Sequence, residues 1–84
     1  MITVEDVAAR VRREMRGKLA ADKVIDSETR LDDLGMSSLQ VSEVIFSLEE
    51  DHGFEFDAAR AADVTTVGEV VALANESLAA SATP

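Results

Sequence analysis

Two adjacent hydroxyl side chains, Ser37 and Ser38, follow Gly35 and precede a long run whose apolar residues recur at helical spacing. The first backbone N–H groups of a helix have no partner within the helix, and the helix dipole is positive at that end. A phosphate that is bound or attached there is therefore stabilised. A serine at such a position can equally serve as an ordinary N-cap. From the Gly-Met-Ser-Ser stretch alone, the cap is the better supported interpretation.

The rest of the chain offers little for catalysis. It has one histidine, His52, and no cysteine or tyrosine, so a nucleophile, a base and an orienting group cannot be assembled. Glu49 and Glu50 are neighbours on a predicted helix and diverge, which argues against an acid–base pair. Asp32 and Asp33 lack the alternate spacing of an EF-hand calcium loop. We predict a protein that is not an enzyme and has no metal site, with His52 as a core or capping residue.

The charge is unevenly distributed along the chain. Residues 31–84 hold eleven acids and one base, Arg60, for a net charge of −10, whereas residues 1–30 hold six acids and seven bases. The acidic part repels phosphate backbones, which excludes nucleic-acid binding as a function class, and it attracts basic partners instead. The arginines of the first segment are interpreted as a solvated face, with an anion-contacting surface as the alternative.

The sequence carries no targeting signal or membrane span that can be identified. Its first residues have no basic start followed by an apolar run, so no signal peptide is predicted. No stretch approaches the ~18 apolar residues of a membrane span. We therefore expect a cytoplasmic protein that does not interact with membranes.

The apolar spacing predicts an all-α protein with one domain over residues 1–84. Thr3 is expected to cap the first helix, Gly53 to end the second, and Thr66 with Glu69 to form a capping box for the last. Residues 17–36 are predicted to be a long connection held down by apolar side chains, namely Leu19, Val24, Ile25, Leu31 and Leu34. Helices are predicted over about residues 3–16, 38–51, 58–63 and 67–78, followed by a disordered tail over 79–84.

The second predicted helix has two apolar lines rather than one. Val44 and Leu48 belong to the line that is expected to face the core, whereas Leu39 and Phe46 belong to a displaced line. Few helices of a small protein can be buried on all sides, so we interpret the displaced line as an exposed patch that contacts a partner.

A longer pattern around the serines resembles the acyl carrier protein family. It comprises Leu31-Asp32-Asp33-Leu34-Gly35-Met36-Ser37-Ser38-Leu39, then Glu43 and Leu48-Glu49-Glu50-Asp51-His52-Gly53. The similarity continues without a gap through the phenylalanines that follow to Val64-Thr65-Thr66-Val67-Gly68-Glu69, and it covers roughly residues 4–78.

This resemblance implies an acyl-carrier-like four-helix bundle with a long first loop and a short third helix. It also implies a 4′-phosphopantetheine arm on the serine before the leucine, here Ser38, with substrates held as thioesters on the thiol of the arm. The implied partners are a phosphopantetheinyl transferase that takes the arm from coenzyme A, an acyl-loading enzyme or ligase, and a ketosynthase or other acyl-processing enzymes.

Two positions depart from the family pattern. Ser37 stands where an aspartate is usual, and Gln40 where an acid is common, so the surface beside the attachment point is less acidic and Ser37 becomes a rival attachment site. Ser38 is preferred because it directly precedes Leu39. Partner recognition is assigned to a set of residues on or beside the second helix: Met36, Ser37, Leu39, Gln40, Glu43, Phe46 and Glu50.

The expected function is that of a discrete, monomeric carrier of acyl intermediates in polyketide, fatty acid or related secondary-metabolite biosynthesis. The alternatives are an aminoacyl or peptidyl carrier of a nonribosomal pathway, and a helical protein-interaction module without a covalent arm. The Gly-Gly-His-Ser stretch usual in peptidyl carriers is missing, which favours acyl cargo.

Overall fold

A computed structural model describes residues 1–20 and 22–81 of the chain. Within these residues the chain forms four α-helices, which we call α1 (Val4–Glu14), α2 (Ser38–His52), α3 (Ala58–Ala62) and α4 (Val67–Ser81). One turn of 3₁₀-helix, Asp32–Leu34, interrupts the long first connection. No β-strand occurs in the described part, so the all-α prediction with a long first loop and a short third helix is confirmed.

The helix ends are set by local interactions of the capping residues that were predicted from the sequence. The Thr3 hydroxyl accepts from the Asp6 N–H at 3.1 Å, as expected for the cap of α1. The Thr66 hydroxyl accepts from the Glu69 N–H at 3.1 Å, while the Glu69 carboxylate accepts from the Thr66 N–H at 3.0 Å, which completes the predicted capping box. Gly53 ends α2 with a positive φ of 69°, a conformation that favours glycine.

Two predicted boundaries need correction. α1 ends at Glu14 rather than near residue 16, and Met15 is its C-cap. α4 continues to Ser81, so residues 79–81 are helical and not a disordered tail. Alanines are strong helix formers, and no glycine or proline stands between Leu78 and Ser81 to stop the helix. Residues 82–84, the rest of the predicted tail, lie outside the described residues.

The core lies between α1, α2 and α4. It contains Val7 and Val11 of α1, Leu48 of α2, and Val67 of α4, each fully buried. Phe54 and Phe56, in the connection after α2, are also buried and pack with ring centroids 5.0 Å apart. Phe54-Glu55-Phe56 is therefore a connector whose phenylalanines fill the core, and not a strand.

The long first connection is fastened to the start of α4. The Val67 N–H donates to the Thr29 carbonyl at 2.9 Å, and the Gly68 N–H donates to the Ser27 carbonyl at 2.8 Å. These loop carbonyls thus satisfy N–H groups that the first turn of a helix leaves unpaired. Leu31 and Leu34 are buried as predicted and Leu19 and Ile25 are half-buried, but the prediction for Val24 is wrong, since 73% of it is exposed.

α1 and α2 run in opposite directions and are joined by a charged cluster. The Arg10 guanidinium, with 8% of its side chain exposed, donates to the carboxylates of Asp6 at 3.0 Å and Asp51 at 2.7 Å, and also to the Ser47 hydroxyl. His52 Nε2 lies 3.2 Å from the second oxygen of Asp6. His52 is therefore half-buried and bound into this cluster, in keeping with its predicted structural role.

Candidate functional site

Ser37 and Ser38 have different roles at the start of α2. The Ser37 hydroxyl accepts from the Gln40 N–H at 3.2 Å, and the Gln40 side-chain oxygen accepts from the Ser37 N–H at 2.9 Å. This reciprocal pair is a capping box, in which both side chains cap the N-terminus of α2. Ser38 is the first residue of α2, and its exposed hydroxyl makes no hydrogen bond within the part of the chain that the structure describes.

The backbone around Ser38 suits a phosphodiester. The Gln40 N–H is taken by the Ser37 hydroxyl, and the Val41 N–H donates to the Ser37 carbonyl at 3.0 Å. The N–H groups of Ser38 and Leu39 remain, within the described residues, without a protein acceptor. These two donors lie at the positive end of a fifteen-residue helix. A phosphopantetheine phosphate on the Ser38 oxygen would meet donors and a favourable field there.

The loop before α2 fixes the serine in an exposed position. Gly35 has a positive φ of 80°, and its N–H donates to the Asp32 carbonyl at 3.0 Å. Leu34 on one side of this turn is buried and Met36 on the other is half-buried. The chain is thus anchored immediately before the serines, so Ser38 is held at the surface by buried neighbours.

An open cleft of about 610 Å³ lies between α2 and α3, and Ser38 is one of its lining residues. Met36, Val41, Ile45 and Phe56 supply much of the apolar lining. α3 contributes only the alanines at positions 58, 61 and 62, and these small side chains leave the cleft wide. A pocket of this size and lining can hold a small apolar ligand.

The seven residues assigned to partner recognition fall into three groups. Leu39, Glu43, Phe46 and Glu50 are all exposed, and their spacings of four, three and four residues place them on one stripe of α2, which we call the outer stripe. Leu39 and Phe46 are 70% and 57% exposed, which is unusual for large apolar side chains and fits the predicted contact patch.

The other three residues lie away from the outer stripe. Ser37 and Gln40 are engaged in the capping box, and Met36 faces the cleft. Serine and aspartate are both good N-caps, so Ser37 caps the helix as the aspartate usual in the family would. Ser37 carries no charge, however, so the surface next to Ser38 has one negative charge fewer.

Two ion pairs, only the first of them at the cleft, were not predicted from the sequence. Arg30 lines the cleft and donates to both carboxylate oxygens of Asp32 at 3.1 Å, and this hydrogen bond lowers the pKa of Asp32. Arg60 of α3 donates to both oxygens of Glu76 in α4 at 2.7 and 2.8 Å. The Arg30 pair could have been suspected from its two-residue spacing, but nothing local connects Arg60 with a partner sixteen residues away.

The described residues contain no group of three or more acidic or histidine side chains arranged to hold a metal ion. Among the same residues, no helix has both the length and the apolar character needed to cross a bilayer.

Comparison with known proteins agrees with this geometry. Residues 9–74 match the family model described as a phosphopantetheine attachment site. The chloroplastic acyl carrier protein of Brassica napus is 35% identical over 74 residues, which is 88% of this chain and 54% of that protein. The chain therefore spans about half the length of this curated relative. The solution structure of the acetyl actinorhodin acyl carrier protein from Streptomyces coelicolor matches with a TM-score of 0.81 and 27% identity, over 96% of this chain and 95% of that one.

These matches define a phosphopantetheine-carrying protein. Within that class, the chain belongs to the acyl carrier protein family. Members of this family are carriers and not catalysts, in agreement with the prediction that the chain is not an enzyme. The predicted cofactor, 4′-phosphopantetheine, is the group for which the matched family is named.

Proposed function

We propose that Ser38 carries the phosphopantetheine arm. The observation that supports this most directly is the difference between the two serines at the start of α2: Ser37 is engaged in the capping box, and the Ser38 hydroxyl is exposed. The Ser37 hydroxyl is held toward the Gln40 N–H, whereas the Ser38 hydroxyl has no hydrogen-bond partner within the described residues and is free to turn toward an enzyme.

The test is intact-mass measurement after incubation with coenzyme A, magnesium and a broad-specificity phosphopantetheinyl transferase. We expect the wild type to gain one phosphopantetheine and the Ser38→Ala variant to gain none. Ser37→Ala is the matched control: it weakens the cap, at a cost of about 1 kcal/mol, but it should still gain the arm. A mass gain that survives in Ser38→Ala and is lost in Ser37→Ala would overturn the assignment.

We further propose that the cargo is an acyl chain of polyketide, fatty acid or related secondary-metabolite biosynthesis. The similarity to the actinorhodin carrier along almost the whole of both chains supports a specialised pathway, and the similarity to the chloroplastic acyl carrier protein supports acyl cargo. The apolar cleft beside Ser38 can shelter part of an acyl chain. Exposing the loaded carrier to hydroxylamine, followed by mass analysis of the released group, would identify a thioester-bound acyl cargo and would equally reveal an aminoacyl one.

The proposed partners are the transferase, an acyl-loading enzyme or ligase, and a ketosynthase or other acyl-processing enzymes. We assign their docking to the outer stripe, where Leu39 and Phe46 supply apolar anchors and Glu43 and Glu50 supply negative charge. A basic rim around an apolar socket would complement this stripe. We expect the carrier to act as a cytoplasmic monomer, which sedimentation of the purified protein and fractionation of the source cells would check.

A further inference from the structure

The cations of this protein are divided into two groups by their partners. Arg10, Arg30 and Arg60 each form an ion pair with a carboxylate. The remaining five cations form no ion pair within the described residues, and all of them lie in one short segment: Arg12, Arg13, Arg16, Lys18 and Lys23. Residues 12–24 hold these five bases and only two acids, so the segment is positive in a protein whose net charge is −9.

A side-chain hydrogen bond and a glycine turn keep this segment together. The Arg12 guanidinium donates to the Lys23 carbonyl at 2.6 Å, which folds the loop back against the end of α1. Gly17 adopts a positive φ of 84°, and the Lys18 N–H donates to the Met15 carbonyl at 2.9 Å in the same tight turn. Lys18 and Lys23 are thereby held near α1 rather than extended away from it.

An exposed apolar side chain accompanies the cations. Val24 follows Lys23 directly and is 73% exposed, although a valine in a small protein would ordinarily be used in the core. Arg13 is set apart from the others, because its charge acts on Asp51, where it adds to the larger effect of the Arg10 hydrogen bond in lowering the pKa of that carboxyl. We use the name basic patch for the other four cations together with the valine: Arg12, Arg16, Lys18, Lys23 and Val24.

The basic patch lies at the same end of the bundle as Ser38. Met15, at the end of α1, approaches Gly35, since its terminal carbon lies 3.9 Å from where a β-carbon on that glycine would be. Gly35 is in the turn that leads into α2. The serine end of the molecule is therefore bordered by a basic patch on the α1 side, while the acids of the outer stripe lie along α2.

We infer that the basic patch is a second docking surface, which binds an acidic strip on enzymes that act on the arm. This inference rests on the proposed function, because it takes Ser38 as the point that those enzymes must reach. A partner that carries a basic rim for the outer stripe and an acidic strip for the basic patch can dock in one orientation only, since a rotated complex would bring like charges together.

The acidic remainder of the carrier does not prevent such a contact. At an ionic strength of about 0.1 M, charges separated by more than about 10 Å are largely screened. An acidic strip in contact with the basic patch therefore responds to the nearby cations more than to the acids along the far side of α2. The contact should weaken steeply as salt is added.

The experiment is a titration of the isotopically labelled full chain with two blocked synthetic peptides, followed by amide chemical shifts. One peptide alternates glutamate and alanine, and the other alternates lysine and alanine. We expect the glutamate peptide to shift amides within residues 12–24 and the lysine peptide to shift amides of the outer stripe. In an Arg12→Gln, Lys23→Gln double variant, the glutamate peptide should bind about tenfold more weakly.

Arg60→Gln is the matched control, because it removes one cation whose carboxylate partner already neutralises it. It should leave the affinity for the glutamate peptide within about twofold of the wild type. The inference is overturned if the glutamate peptide shifts no amides in residues 12–24, or if the double variant and the Arg60→Gln variant lose affinity equally. Its failure is distinguishable from failure of the proposed function, which the mass gain of the unmodified wild type tests without either peptide.

Discussion

Replacing Arg10 with methionine should reveal how α1 and α2 are held together. Methionine keeps an unbranched side chain in the buried position, while the guanidinium that binds Asp6, Ser47 and Asp51 is removed. Breaking a buried charge pair by removing one partner costs about 3–5 kcal/mol when the other charge remains buried. Asp6 and Asp51 are 30% and 57% exposed, so water can rehydrate both carboxylates once the arginine is gone.

This exposure lowers the expected loss to about 2 kcal/mol. A domain of this size has a total free energy of unfolding of only about 4–13 kcal/mol, so the loss is a substantial share. It should lower the melting temperature by roughly 8–16 °C, measured by circular dichroism at 222 nm. Part of the loss should disappear in high salt, where the attraction that is removed is already screened.

Arg60→Met is the comparison, because Arg60 and Glu76 form a pair of similar geometry that is 55% and 59% exposed. Its melting temperature should stay close to that of the wild type. If Arg10→Met and Arg60→Met lower the melting temperature by the same amount, the buried ion pairs of Arg10 contribute no more to stability than the exposed pair of Arg60, which would refute the prediction.

The remaining predictions concern a helix start, pH and docking. Gly68→Ala places a β-carbon 2.7 Å from the Ser27 carbonyl oxygen, so it should lower the free energy of urea unfolding by about 1–3 kcal/mol. The Arg10 hydrogen bond lowers the pKa of Asp51, so the stability contributed by Asp51 is present above the ordinary aspartate pKa and is lost as pH falls through the lowered one. Asp51→Asn should therefore flatten the fall in melting temperature below about pH 4. Glu43→Lys should raise the KM of the transferase several-fold with little change in melting temperature.

Each of these predictions has a result that would count against it. A Gly68→Ala protein as stable as wild type would mean that the loop moves freely away from α4. If the melting temperature of Asp51→Asn fell at low pH as steeply as that of the wild type, the pH dependence would come from other carboxylates. Glu55→Lys reverses an exposed acid outside the outer stripe and so controls for net charge. An equal rise in the KM of the transferase for this variant would show that docking depends on overall charge rather than on the outer stripe.

Interactions between residues close in the chain were largely predictable. The Thr3 cap, the Gly53 stop and the Thr66 capping box depend on residues three or four positions apart, so their chemistry is visible in the sequence. The same holds for the buried and exposed lines of α2. One local interaction was nevertheless missed, because the spacing of Gln40 from Ser37 fits a capping box that was not predicted.

Interactions between distant residues could not be predicted in this way. Arginine is seldom buried, so Arg10 was not expected in the interior, although Asp6 four residues earlier was a signal for a local ion pair. Its second partner, Asp51, lies forty-one residues away, and only the antiparallel packing of α1 and α2 brings the two together. The basic patch is a similar case, since whether a cation is paired depends on carboxylates elsewhere in the fold.

The central claim, that Ser38 is the attachment point, is tested most directly by locating the arm on the unmutated protein. The transferase product is digested and the peptide that contains both serines is fragmented in a mass spectrometer by a method that retains the phosphodiester. We predict that the mass of the arm resides on Ser38 in every fragment series that separates the two serines. An arm on Ser37, or a protein that accepts no arm from coenzyme A, would contradict the account.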